Sequence, residues 1–134
     1  MRTERRRELG QAGEALAANL LTARGLRILD RNWRDGRRGE LDIVAFDVAV
    51  GQVVVVEVRT RTGDRYGSAL ESVGPAKLAR VRRLAAAWLA AHDVHGNVRF
   101  DVVAVTVPWR GGAAPASGDA LAQATIDWVR GVAP

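Results

Sequence analysis

Apolar side chains recur at three- and four-residue steps in two stretches of this chain and gather into short blocks in four others. Leu9, Ala12, Leu16 and Leu20 predict a helix over residues 3–24, with Thr3 as its N-cap and Gly25 as a left-handed stop. Leu78, Val81, Leu84, Ala85, Trp88 and Leu89 predict a second helix over 75–92, opened by Pro75. Residues 26–33 read as a strand that leads into a basic turn, Arg34 to Gly39. Residues 39–46 and 53–59, joined by Val48 to Gly51, read as a β-hairpin. Residues 60–67, polar and glycine-bearing, predict a loop, and 93–97 a turn. The nearly all-apolar 98–107 predicts a central strand. Residues 108–119 read as a loop, and the pattern leaves 121–129 open between helix and strand. This order predicts one α/β domain over residues 1–134, a mixed sheet with helices on its faces.

The hairpin carries acids where an apolar strand should not want them. A tight turn sets Phe46 opposite Val53, and counting back sets Asp42 opposite Glu57, with Cβ atoms roughly 4.5–5.5 Å apart. Alternation brings Arg59 out on the face of Glu57, and Glu40 out on the face of Asp42. Glu57 ends a run of four valines, so burial is expected, and a buried carboxylate is costly unless paired or metal-bound. Spacing leaves both a metal site and a buried ion pair open. As a metal site it suits Mg²⁺, which takes one or two carboxylates and keeps several waters; Asp42, Glu57 and the Val58 carbonyl could supply oxygens. Such an ion would activate water and neutralise charge on a phosphodiester. A cation two residues after Glu57 would hold the phosphate or the attacking water. Glu14, at the edge of the first helix's apolar stripe, reads from spacing as a solvated side chain.

Composition changes the picture in two ways. The net charge is +5, and Lys77 is the lone lysine among 20 basic residues, with arginine everywhere else. A basic balance favours polyanion partners, with Arg34, Arg37, Arg38, Arg61, Arg80 and Arg83 placed to meet phosphates without reading sequence. The absence of cysteine excludes disulfides and thiolate sites and fits a reducing cytoplasm. With only His92 and His95, a zinc site is not expected. No apolar run has the length of a membrane span, and no signal-peptide core follows the charged N-terminus.

Gly13-Glu14, Arg31-Asn32, Gly39-Glu-Leu-Asp42, Val56-Glu-Val-Arg-Thr-Arg61, Tyr66-Gly67 and the helix opening at Lys77 occur in order over roughly residues 10–92. This set resembles the YraN-type family of small uncharacterised bacterial proteins. That family is similar in pattern to restriction-endonuclease-like nucleases, above all archaeal Holliday-junction resolvases. There a helix glutamate, a strand aspartate and a Glu-x-Lys unit bind Mg²⁺ and cut phosphodiesters. The resemblance implies a restriction-endonuclease-like core, with Glu14, Asp42 and Glu57 as ligands of Mg²⁺ (Mn²⁺ substituting). It implies a cytoplasmic endonuclease acting on DNA, branched or recombination intermediates included. Symmetric cutting of a four-way junction would need a homodimer, since one site severs one strand.

One departure stands out. Arg59 occupies the lysine position of that pattern, and arginine, always protonated, cannot act as a general base. Three readings follow: Arg59 is a pure electrostatic clamp, Lys77 supplies the ammonium from the second helix, or activity is weak or lost. The bland reading of Lys77 is a surface residue on a charged helix face. The alternative function is a catalytically inactive nucleic-acid-binding module of the same fold.

Overall fold

The computed structural model describes residues 2–63, 73–108 and 122–132. Its element order is α1 (Arg2–Ala23), β1 (Leu26–Arg34), β2 (Glu40–Asp47), β3 (Gln52–Thr62), α2 (Pro75–Ala91), β4 (Val98–Val107) and β5 (Thr125–Val129). The α/β expectation holds: two helices pack on one mixed five-stranded sheet, ordered β1-β2-β3-β4-β5. The undecided segment after residue 121 contributes the edge strand β5, antiparallel to β4. The loop expected at 108–119, and Trp109 within it, fall almost wholly outside the described residues, as does Tyr66-Gly67. No helix among the described residues is long and apolar enough to cross a membrane.

The sheet is sorted by alternation. Ile43, Ala45, Val54 and Val56 face α1, where they pack with Ala17, Ala18 and Leu21. Val44, Val53 and Val55 face α2, where they pack with Val81, Leu84, Ala85 and Trp88. Four successive valines of β3 are thus buried from both sides, which explains a strand with no polar alternation. α2 serves as the crossover that lets β4 run parallel to β3.

Three details depart from the sequence pattern. The buried line of α1 is Gly13, Ala17, Leu21, offset from the stripe of larger residues, because small side chains let the helix approach the sheet. A Cβ at Gly13 would overlap the Thr60 side chain. The strand that was expected to end at Arg59 runs to Thr62: its β-branched threonines continue the parallel ladder as far as Thr62 opposite Val107. β1 carries a bulge at Leu29, which turns that side chain toward solvent and brings Asp30 beneath Trp88, whose Nε1 donates to Asp30 at 3.0 Å.

Trp33 and Trp88 belong to the α2-side core, and Trp128 packs at the α1-side core. At the hairpin-tip end of the sheet, Arg99 donates to Asp47 (2.9 Å) and, by two nitrogens, to Asp101 (3.0 and 3.1 Å). Trp128 Nε1 (3.0 Å) and the Gly131 N–H (2.9 Å) also donate to Asp101, and the Ala49 N–H donates to Asp47 (3.2 Å).

Candidate metal centre

The hairpin register runs from Asp47 opposite Gln52 through Phe46 opposite Val53 to Ile43 opposite Val56. Beyond that pair the strands part. β2 stays with β1 as far as Glu40, while β3 stays with β4. Asp42 and Glu57 come together at the opening. Asp42 Oδ2 accepts the Val58 N–H at 2.8 Å, so its side chain takes over a main-chain donor there. Val58, considered from sequence for its carbonyl, contributes its N–H as the group that orients Asp42.

Glu14 reaches the opening from α1, beside the close approach of Gly13 to Thr60. Oxygens of Glu14, Glu40 and Asp42 all lie within 4.8 Å of one another. Asn32 bridges two of them: its Nδ2 donates to Glu14 Oε2 and to Glu40 Oε1, each at 2.8 Å. Asn32 adopts φ 53°, a left-handed conformation that asparagine tolerates better than most residues, and its position after Arg31 is the point where β1 turns toward the cluster. Arg34 Nε donates to Glu40 Oε2 at 3.1 Å. A groove of about 430 Å³ opens here, lined in part by Arg7, Glu14, Asn32, Arg34 and Glu40.

Glu57 is 5% exposed, and its partner is Lys77: Nζ lies 3.2 Å from Glu57 Oε1, with the lysine side chain 35% exposed. The cation at Glu57 therefore comes from α2. Arg59 is exposed and makes no ion pair among the described residues.

Electrostatics mark the cluster as short of positive charge. Burial, then the charge of Glu57, pushes Asp42 up to about 7, against the opposing Val58 N–H and the more distant Lys77. Burial also raises Glu14; the Asn32 hydrogen bond opposes this, and the charges of Asp42 and Glu40 add to it. Among the described residues, the four carboxylates Glu14, Glu40, Asp42 and Glu57 have two directly paired cations, Arg34 and Lys77. The converging donors are all oxygen, Glu14 from α1 with Glu40 and Asp42 from β2, which fits a hard divalent cation of the Mg²⁺ kind; Glu57 stands beside Asp42 but outside this trio.

The structure unites Glu14, Asp42, Glu57 and Lys77 at one opening and leaves Arg59 aside. Sequence reasoning missed Asn32 and Glu40 as members. Glu40 had a signal, since it precedes Asp42 by two on the same strand. Asn32 lay in a quoted motif, but nothing local announces a side chain that bridges two acids. The six arginines separate: Arg34 binds Glu40, Arg61 Nε donates to Thr106 Oγ1 at 3.1 Å, Arg38, Arg80 and Arg83 line a second groove, and Arg37 is exposed.

Comparison with known proteins places these residues in a family. The model of the uncharacterised protein family UPF0102 matches residues 13–105, from the glycine beside Glu14 to the middle of β4. A UPF0102 protein of Mycolicibacterium smegmatis is 56% identical over 103 residues, covering 76% of this chain and 82% of its own length. Its counterpart in Mycobacterium avium is 54% identical over 106 residues (78% and 82%), and that of Mycobacterium tuberculosis 52% over 108 (80% and 84%). With the carboxylate opening and Lys77 inside the matched region, this chain belongs to the uncharacterised protein family UPF0102.

Proposed function

We propose that this chain is a Mg²⁺-dependent endonuclease of restriction-endonuclease-like type that hydrolyses phosphodiester bonds in DNA, with branched or recombination intermediates as its substrates. The observation that carries the reading is the Lys77 ammonium seated 3.2 Å from buried Glu57, beside an Asp42 on which Glu14 and Glu40 converge. Acids in excess of their cations suit a metal, and an ammonium at the rim suits a phosphate.

Glu14 and Asp42 would hold the ion together with Glu40, the oxygens of the three lying within 4.8 Å of one another. Glu57, outside that trio but next to Asp42 and bound to Lys77, would complete the set. When bound, Mg²⁺ supplies Lewis-acid activation and neutralises negative charge on the scissile phosphate. The chain's own groups prepare the place. Asn32 fixes the carboxylates of Glu14 and Glu40 through one carboxamide. The Val58 N–H fixes Asp42. Lys77 holds a positive charge against Glu57 and, one-third exposed, can reach an incoming phosphate oxygen. In this reading it supplies the ammonium that the strand lysine of the nuclease pattern would give, and Arg59 is left as a peripheral positive charge.

The test is cleavage of labelled four-way junction, flap, duplex and single-stranded DNA with Mg²⁺ and Mn²⁺. Cutting should require metal, vanish in Glu57→Ala, drop by about 10²-fold or more in Lys77→Met, and persist in Arg59→Lys. Binding to every substrate with no cutting by the wild type would overturn the reading. That outcome would leave the non-catalytic nucleic-acid-binding module, which the direct pairing of Lys77 with Glu57 also suits, since it satisfies the most buried acid of the opening without an ion.

A further inference from the structure

A second basic feature lies on the α2 side of the sheet. Arg80 and Arg83 stand on the exposed side of α2, and the turn between β1 and β2 brings Arg38 to them. Gly39 makes that approach possible. Its φ is 135°, and a Cβ there would meet Leu84 Cδ1 at 3.2 Å and Arg80 Cδ at 3.8 Å. The turn is closed by the Arg38 N–H on the Asp35 carbonyl (3.0 Å) and the Asp35 N–H on the Gly39 carbonyl (3.2 Å). The resulting groove, about 350 Å³, is lined by Asp35, Arg38, Arg80, Arg83 and buried Leu84.

Three guanidiniums share this groove with one carboxylate, Asp35, which lies 3.6 Å from Arg38. The surplus is positive, the reverse of the carboxylate opening, and planar guanidinium forks match the oxygens of a phosphate. Among the described residues the two grooves have no lining residue in common. They are nonetheless linked along one helix. Arg80 and Arg83 follow Lys77 by three and six residues, about 4.5 and 9 Å along the axis. Phosphates of one DNA strand advance about 3.4 Å apiece along a duplex axis. A strand that runs along α2 with one phosphate beside Lys77 therefore lays another over the arginines within about one to three nucleotides.

We propose that the Arg38–Arg80–Arg83 groove is a second phosphate site, which grips the nucleic-acid backbone one to three nucleotides from the phosphate at the carboxylates. Its register rests on the nuclease reading; its affinity for phosphate does not. The groove holds the strand whether or not the carboxylates cut it.

The experiment is binding of labelled single-stranded and duplex DNA by fluorescence anisotropy, in EDTA so that cutting is off, from about 50 to 200 mM salt. Arg80→Gln/Arg83→Gln should weaken binding about 10-fold or more and flatten the logarithmic salt slope by roughly one for each arginine. Arg82→Gln, exposed on the same helix but outside the groove, is the control and should change neither by as much. Arg80→Lys/Arg83→Lys should keep most of the slope, which counts charges, and this also serves if the glutamine pair folds poorly. A glutamine pair that folds and matches Arg82→Gln overturns the proposal. So does inorganic pyrophosphate binding that is lost in the pair while DNA affinity stays intact, since the groove would then serve a soluble phosphate. Cutting by the wild type with an unaltered slope sinks only the groove; groove-dependent binding without cutting sinks only the nuclease.

Discussion

Asp47 and Asp42 lie five residues apart on β2, roughly 17 Å at about 3.3 Å per residue, and their surroundings are built on opposite terms. At Asp47, two deeply buried acids share one guanidinium, and an indole N–H and two main-chain N–H groups take up further oxygens. The hydrogen bond from Arg99 outweighs burial and holds Asp47 below its ordinary value. At Asp42, three half-buried acids and buried Glu57 crowd together with too few donors, and burial and mutual repulsion raise Asp42 and Glu14. Burial of acids alone therefore does not mark a site. A cluster whose oxygens are met by hydrogen-bond donors locks the fold; a cluster left short of donors is ready for something from outside.

The contrast can be broken most forcefully at the donor-rich end. Asp101→Ala should cost about 3–5 kcal/mol in urea unfolding, because it strands Arg99 and leaves the Trp128 N–H without its acceptor. A loss under about 1 kcal/mol would mean that this network is ornamental. Next in size is the response to metal. Mg²⁺ or Mn²⁺ at 100-fold over its dissociation constant should stabilise the wild type by about 2.7 kcal/mol, read as a higher melting temperature. Asp42→Asn should lose that gain, whereas Asp101→Ala should keep it from a lower baseline. Equal metal responses in the two variants would erase the distinction.

The smallest effect is in pH, without metal. The folded-state value of Asp42, about 7, exceeds its ordinary 3.8, so the folded chain holds the extra proton between them. The stabilising contribution of that proton is full below about pH 4 and is lost as pH rises through about 7. Asp47, lowered when folded, contributes stability above its ordinary 3.8 that is lost only as pH falls through its folded value. Asp42→Asn should therefore gain on the wild type by at least about 1 kcal/mol between pH 4 and 7. A constant gap across that window would contradict the electrostatic account of the opening.

Much of this was legible in the chain. Period and turn chemistry place both helices, four strands and the hairpin, and the pairing of Phe46 with Val53 follows from the loop between them. The bulge at Leu29 and the extension of β3 to Thr62 were not legible, because a neighbouring strand decides both. Nor was the seam of α1: pattern reading weights large apolar residues, while close packing selected Gly13, Ala17 and Leu21. Within the candidate site, Asp42 and Glu57 could be paired by counting. Asn32 could not, since its role depends on an element 18 residues away in sequence.

The Lys77–Glu57 contact joins the two layers of the protein. One acid descends from α1, two rise from β2, one sits on β3, and the ammonium arrives from α2 across the opening. No fragment holding the hairpin and a single helix would contain the whole set, so the opening is complete only when both faces of the sheet are covered. The strand is correspondingly relieved of carrying the cation. Position 59 is free to be arginine in a chain that has almost abandoned lysine, while position 77 is where that economy stops.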